Sequence, residues 1–188
     1  TDLLLQIRRR VRNYRGLVNI KRIPSIGDWS FDPEFGLHLG AATPMRVLEK
    51  APEVILRFQA LFDALRVVGS IQLRNIATIG GNLCNASPSA DTAPSLIVSG
   101  AKATFVANGS EPKTVTVEDF FSGPGKSILG SDGLLLGVDV PSAKGMTGAS
   151  FQRLTPRGAM DIAIVSAASR VTLDPQTGKV VDAAIALG

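Results

Sequence analysis

The segment RNIATIGGNLCNASPSADTAPSL, residues 74–96, carries residue types that could bind a ligand. Successive backbone N–H groups, freed of side-chain bulk by Gly80 and Gly81, can form a concave site for an anion. Thr78, Asn82 and Ser87 add hydroxyl and amide donors. The pattern therefore predicts a pyrophosphate site, although a Gly-Gly-Asn tripeptide by itself is most often only a turn.

Asp91 is the one acidic residue of this segment. Its negative charge would repel a phosphate, so we expect the carboxylate to accept hydrogen bonds from ligand hydroxyls, such as those of a sugar or a ribitol chain. The alternative is that Asp91 only caps the helix that follows it.

Several other kinds of site are excluded by pattern. The sequence has neither the G-x-x-x-x-G-K-[ST] of a nucleotide-hydrolysing P-loop nor the G-x-G-x-x-G of a Rossmann fold. Cys84 and His38 are the only residues of their kinds, so this chain can build no zinc site, iron–sulfur site or internal disulfide. We expect Cys84 to be a small buried residue, no metal in this chain, and a reducing, cytoplasmic location.

The composition allows a sizeable core and indicates a basic surface. Of 188 residues, 45% are hydrophobic, and the net charge is +4. Much of the positive charge lies in RRRVRNYR, residues 8–15, which fits the solvent face of an amphipathic helix better than a nucleic-acid site because no interleaved aromatics accompany it. We expect no nucleic-acid partner, and no apolar run long enough to predict a membrane span is present.

The elements that must position these residues mix strands and helices without strict alternation, which predicts an α+β fold. We expect a helix from Asp2 to about Arg12, a strand at LVNIKRI, and helices from Pro44 and Pro52. A short helix should run from Asp91 to Gly100. Further predicted strands are KATFVA and KTVTVEDF joined by a turn at Asn108-Gly109, GLLLGVDVP, and a hairpin around DPQTGK.

Several ordered motifs together resemble the FAD-binding subunit of molybdenum hydroxylases, the xanthine dehydrogenase and carbon monoxide dehydrogenase family. LRNIATIGGNLCNASPSADTAPSLIVSGAKATF is similar to the central signature of that family, and TDLLL to the end of its first dinucleotide loop, A-G-G-T-D-L. LHLGAAT, TVEDFFSGPGKSIL, DGLLLGVDVP and FQRLTPRGAMDIAIVSAASRV resemble its other recurring motifs. The resemblance covers essentially the entire chain.

The resemblance implies a two-lobed α+β FAD-binding domain of the molybdopterin dehydrogenase (PCMH) type. The first lobe is expected at residues 1–57, the second at 58–148, and the start of a C-terminal α+β domain at 149–188. Because the chain starts at Thr1 and ends in VVDAAIALG, partway through an apolar strand, we expect a piece of a longer protein, truncated at both ends.

The resemblance also implies the binding residues, because two glycine loops of the family clasp the FAD pyrophosphate. It places a ribitol contact at Asp91, an isoalloxazine contact at Leu135 and a basic residue near the flavin at Arg153. For Leu135 the alternative is a plain core residue. The other implied residues are Thr1 and Asp2 in the first loop, Ala77, Thr78, Gly80, Gly81 and Asn82 in the second, and Ser87 on the adjoining wall.

The function implied is that of an electron-transfer subunit with no catalytic side chain of its own. Electrons would pass from a molybdopterin large subunit, through 2Fe-2S clusters on a small subunit, to FAD and then to an external acceptor such as NAD or a quinone. The partners form a heterotrimeric complex, whose dimerisation is left open. Two alternatives also stay open: a fragment of a vanillyl-alcohol-type flavin oxidase, and a non-catalytic basic binding module.

Overall fold

The computed structural model describes residues 1–11, 14–107, 109–157 and 160–188. A short 3-10 helix lies at Ile20–Arg22. The α-helices are α1 (Asp2–Arg8), α2 (Met45–Lys50), α3 (Pro52–Arg57), α4 (Gln59–Leu65), α5 (Ile71–Arg74), α6 (Ile79–Asn85) and α7 (Thr92–Val98). The strands are β1 (Trp29–Asp32), β2 (Gly36–Gly40), β3 (Lys102–Ala107), β4 (Lys113–Thr116), β5 (Phe121–Gly123), β6 (Lys126–Ser127), β7 (Gly133–Val140), β8 (Met146–Leu154), β9 (Val165–Leu173) and β10 (Val180–Leu187).

The larger sheet is antiparallel and has the strand order β1-β2-β7-β3-β4. Along β2, Leu37 and Leu39 are buried while His38 between them is exposed, so one face of the sheet points to the core. Leu39 pairs with Val138 of β7, and Val138 pairs in turn with Ala103 of β3. All three are completely buried, so the pairing register determines which side chains of the sheet face the core.

One hydrophobic cluster joins this sheet to the helices, and its members run from Ile26 to Val140. Strand β2 of the predicted first lobe pairs with β7 of the predicted second lobe. Both lobes therefore contribute to the same core. The division of the chain at residues 57/58 and 148/149 stays a prediction, and β8 runs across its second boundary.

A separate antiparallel sheet, of order β10-β9-β8, packs on α4 and α7. The contact is made mostly by small side chains, because four of the six buried residues in the second cluster are alanines. Those residues are Ala60, Ala64, Val98, Phe151, Ala168 and Ala186. The predicted hairpin around DPQTGK is confirmed as β9 and β10, whereas β8 was not predicted as a strand.

The predicted α+β class is confirmed, but some elements differ. LVNIKRI is not a strand: Asn19 accepts a hydrogen bond from the N–H of Lys21 and starts the 3-10 helix instead. No residue of α1 is buried, so its apolar stripe does not reach the core. Helix α1 ends at Arg8 and residues 9–11 are not helical, so the prediction that it continues to about Arg12 is wrong. Arg12 itself and Asn108 of the predicted turn lie outside the described residues. None of the helices in the described ranges is long and apolar enough to cross a membrane.

Helix α6 touches the turn that follows β2 backbone to backbone. The N–H of Gly80 donates to the carbonyl oxygen of Ala41 over 2.9 Å. A Cβ added to Gly80 would lie 2.6 Å from that oxygen and 2.7 Å from the Cβ of Ala41. Only a glycine fits this approach, because neither obstacle is the end of a flexible side chain.

Replacing Gly80 by alanine should therefore destabilise the fold, and the same change at Gly81 should not. A Cβ at Gly81 meets only the Oγ1 of Thr78, at 3.1 Å. We expect Gly80→Ala to lower the free energy of unfolding by about 1–3 kcal/mol, as overpacking does. Gly81→Ala should stay within about 1 kcal/mol of the parent, because alanine favours a helix. Urea unfolding measures both changes, and equal losses for the two variants would contradict this packing role.

Cys84 was predicted to be buried, and it is partly buried, packed against the main core. Burial raises the pKa of its thiol to about 11, since a thiolate is unfavourable away from water. We expect the folded protein to react slowly with iodoacetamide near neutral pH and the unfolded protein to react at the rate of a free thiol. Mass spectrometry of the alkylated protein follows both rates. Rapid alkylation of the folded protein at neutral pH is the contrary result.

Candidate functional site

The glycine segment forms a helix start and not a loop of free amides. Thr78 is the N-cap of α6, with its Oγ1 accepting from the N–H of Gly81 over 3.0 Å. The N–H of Asn82 donates to the carbonyl oxygen of Thr78 over 3.0 Å, and that of Gly80 to Ala41. Each of these three amides therefore has a partner within the chain, and the anion site predicted at these residues stays a prediction.

The surface of α6 at Gly81 and Asn82 is accessible to a ligand. Gly81 is exposed and lacks a side chain, so a ligand can approach its α-carbon closely. The Oδ1 of Asn82 accepts from the Oγ1 of Thr92 over 2.6 Å, which leaves its NH2 group as a donor. Ala77 precedes the helix, and its carbonyl oxygen accepts from the N–H of Met45 over 2.9 Å. The structure thus keeps a polar, small-residue surface here.

Asp91 and Arg153 form a buried ion pair that the sequence did not predict. The Nη1 of Arg153 lies 3.1 Å from Oδ1 and 3.0 Å from Oδ2 of Asp91. Their side chains are 10% and 11% exposed. Burial raises the pKa of Asp91, and the guanidinium opposes that rise. The pair joins the start of α7 to the C-terminal end of β8, an edge strand of the smaller sheet.

The helix-cap alternative for Asp91 is not supported. Asp91 occupies the N-cap position of α7, but its side chain accepts no capping hydrogen bond and its backbone is helical, with φ of −62°. Its carboxylate is directed to Arg153 instead. The carboxylate therefore belongs to a polar site between two elements and not to the helix end.

Several predicted residues lie along one connected polar line. The hydroxyl of Thr78 accepts from the N–H of Gly81, and the next residue, Asn82, is hydrogen-bonded to Thr92. Thr92 follows Asp91 in the chain, and Asp91 is paired with Arg153. Ser87 lies between α6 and α7, half-buried, with its hydroxyl 3.1 Å from that of Ser89. Donors, a carboxylate and a cation in this order suit a ligand that carries both phosphate and hydroxyl groups, so the residues fit FAD through side chains and the open face of Gly81.

Three predicted residues are not on this line. Thr1 and Asp2 are exposed at the start of α1, and no hydrogen bond between described residues joins them to α6. Leu135 is 2% exposed and belongs to the main core. Its position favours the plain-core alternative.

Two features near the segment had no signal in the sequence. The Nζ of Lys21 donates to the carbonyl oxygen of Ile76 over 3.3 Å, which places a cation next to Ala77. Arg74 is buried against Glu49, with Nε 2.8 Å from Oε2 and Nη2 3.1 Å from Oε1. Burial acts to raise the pKa of Glu49, but its hydrogen bonds from Arg74 and Arg46 outweigh this and lower it. This pair fixes α5, which leads into the segment.

A cleft of about 620 Å³ lies at the other end of β8 and contains none of the predicted residues. It is bordered by the junction of α3 with α4, by the connection from β7 to β8, and by the smaller sheet. Arg57, Lys144 and Arg170 are its basic residues. Arg170 is already bound to Asp182 and to the carbonyl oxygen of Val98. This cleft is therefore separate from the polar line.

Comparison with known proteins identifies the family. Residues 1–143 match the family described as the FAD binding domain in molybdopterin dehydrogenase. The chain is 30% identical over 175 residues to the xanthine dehydrogenase FAD-binding subunit of Escherichia coli O157:H7, a match that covers 93% of this chain and 60% of that subunit. The chain thus spans about 60% of the length of this relative.

Solved structures agree. Carbon monoxide dehydrogenase from Hydrogenophaga pseudoflava superposes with a TM-score of 0.90 at 26% identity, covering 99% of this chain and 63% of the other. Quinoline 2-oxidoreductase from Pseudomonas putida 86 gives 0.88 at 26% identity, covering 100% and 63%. The predicted resemblance and the predicted cofactor FAD are confirmed, and the chain belongs to the family of FAD-binding domains of molybdopterin dehydrogenases.

Proposed function

We propose that this chain is the FAD-binding part of an electron-transfer subunit in a molybdenum-containing hydroxylase or dehydrogenase. The observation that carries the proposal is the polar line from Thr78 to Arg153, found in a chain of the FAD-binding family. Bound FAD supplies the redox chemistry, since a flavin exchanges electrons with donors and acceptors. The residues of the chain bind the cofactor, orient it and control its surroundings.

The partners and the acceptor belong to the same proposal. A small subunit with 2Fe-2S clusters would deliver electrons from a molybdopterin large subunit, and an external acceptor such as NAD or a quinone would receive them, in a heterotrimeric cytoplasmic complex. The support is the description of the family, which names molybdopterin, and the relative named as a xanthine dehydrogenase subunit. Analysis of metal and flavin in the intact native complex tests this part.

The polar line suggests a division of roles along the cofactor. Gly81 gives the phosphates room beside the backbone, and the NH2 group of Asn82 is a donor for their oxygens. Thr78 holds the amide of Gly81. Gly80 supports the site by packing on Ala41. Ala77 and Ser87 border the same surface, and we assign Thr1 and Asp2 to the first phosphate loop by the family resemblance.

Asp91 and Arg153 would face the sugar-like and ring portions of the cofactor. The carboxylate of Asp91 is an acceptor for ribitol hydroxyls, and Arg153 places a positive charge at the same point. Leu135 would support the ring from within the core. Both charged groups are buried, and a buried charge without a polar partner raises the free energy of the protein. We therefore expect each group to have a polar partner when the ligand is bound.

Gly81→Val tests the phosphate contact. A β-branched side chain fills the space beside the backbone that the pyrophosphate needs, so we expect loss of bound flavin from a protein that still folds. Flavin absorbance per mole of purified protein and a circular dichroism spectrum measure the two properties. Gly148→Val is the matched control, because a Cβ at the exposed Gly148 of β8 meets nothing within 4 Å. Unchanged flavin content in Gly81→Val is the result that excludes this contact.

Asp91→Asn tests the hydroxyl contact. If the carboxylate accepts from ribitol, FAD binding should weaken by about 1.5–3 kcal/mol, the range for hydrogen bonds to a charged group. The apoprotein should also lose stability, because Arg153 is left without its buried counter-charge. Fluorescence titration with FAD and thermal melting of the apoprotein separate these effects. Lower stability with unchanged FAD affinity would restrict Asp91 to a structural role.

A further inference from the structure

Ser166, on β9, has a hydroxyl group with no hydrogen-bond partner among the described residues. The residue is 2% exposed, and its Oγ is buried without a hydrogen bond in the part of the chain that the structure describes. Such a group is unfavourable and uncommon in folded proteins, so each case requires a physical explanation. A partner that arrives in another state of the protein is one such explanation.

The position of Ser166 identifies that partner. Ser166 lies directly opposite Arg153 in the pairing of β9 with β8. The Cβ atoms of directly opposed residues are about 4.5–5.5 Å apart, well within the reach of an arginine side chain. The hydroxyl also lies beside the segment that carries Asp91. A Cβ atom added to Gly188 would lie 2.7 Å from the Oγ of Ser166, 3.0 Å from the Cγ of Pro94 and 3.4 Å from the carbonyl oxygen of Pro88, so these three atoms are neighbours.

Arg153 has unused donors for such a contact. A guanidinium carries five N–H groups, and here a single nitrogen, Nη1, contacts both oxygens of Asp91. Within the described ranges, Nε and Nη2 of Arg153 make no hydrogen bond. The carboxylate of Asp91 and the hydroxyl of Ser166 are therefore two acceptors for one side chain.

We propose that Ser166 is a positioning residue of the FAD site, which receives the guanidinium of Arg153 when hydroxyls of the bound cofactor take over the carboxylate of Asp91. The inference rests on the proposed function. Arg153 then occupies two positions: paired with Asp91 in the absence of FAD, and hydrogen-bonded to Ser166 in its presence. The exchange separates the ion pair of Arg153 with Asp91 and replaces its hydrogen bonds, and no proton or electron is transferred.

Ser166→Ala tests the exchange. Without FAD the hydroxyl has no partner in the described part of the chain, so its removal should leave the melting temperature of the apoprotein unchanged or raise it. With FAD the variant lacks the second acceptor for Arg153, so the dissociation constant for FAD should rise about tenfold, as for one lost hydrogen bond to a charged group. The affinity for FAD is thus expected to fall while the stability of the apoprotein does not. A serine that only supports the fold would not give this combination when it is replaced. Unchanged affinity overturns the proposal.

A matched control and a double variant complete the test. Ser169→Ala alters an exposed serine of the same strand on the opposite face and should change neither quantity. In an Arg153→Gln background, Ser166→Ala should no longer affect FAD affinity, because Ser166 acts through Arg153. If the tenfold loss persists there, Ser166 contacts the ligand directly and the exchange is wrong.

The same measurements separate the failure of this inference from that of the proposed function. The titrations use FAD and the full chain that contains these residues, with melting curves of every variant. If the parent protein binds no FAD, the proposed function fails. If the parent binds FAD and Ser166→Ala binds it equally well, only the exchange fails.

Discussion

The contact between Gly80 and Ala41 is the constraint on which the rest of the site depends. It lets the first turn of α6 lie directly on the turn after β2, with the two backbones joined by a hydrogen bond. Because helix and sheet meet without side chains between them, small displacements of either are not absorbed. Thr78, Gly81 and Asn82 are held at fixed positions relative to the five-stranded sheet for this reason.

Two buried ion pairs complete the placement of the site. Arg74 with Glu49 fixes the approach to α6, and Arg153 with Asp91 joins α7 to the smaller sheet. A buried charge is costly without a polar partner, so each pair holds its two elements together in the absence of a bound ligand. The binding surface is therefore defined by a rigid backbone contact on one side and by paired charges on the other.

Local sequence was sufficient for much of this structure. The α+β class, the start of α7 after Asp91, the strand KATFVA and the hairpin around DPQTGK all follow from patterns within a few residues of one another. These features share a local cause, which is why short windows of sequence predict them.

The features that the sequence predicted wrongly or not at all depend mostly on contacts between residues that are far apart in the chain. Arg153 lies 62 residues from Asp91 and Arg74 lies 25 from Glu49, so no spacing rule reveals either pair. The glycine segment gives no sign that the carbonyl oxygen of Ala41, 39 residues earlier, accepts a hydrogen bond from the N–H of Gly80. LVNIKRI has strand-like composition, yet the side chain of Asn19 starts a 3-10 turn there.

The alanines between the smaller sheet and helices α4 and α7 fill the interface and also influence the separation of the sheet from the helices. An alanine has no side-chain torsion to adjust, so Ala60 and Ala64 of α4 and Ala168 of β9 let the sheet and the helices pack closely at a distance set by their small size. Arg153 is carried on that same sheet, and Asp91 stands at the start of one of those helices. Ala60, Ala64 and Ala168 thus act as spacers whose size determines how far the guanidinium stands from the carboxylate, although none of them is polar.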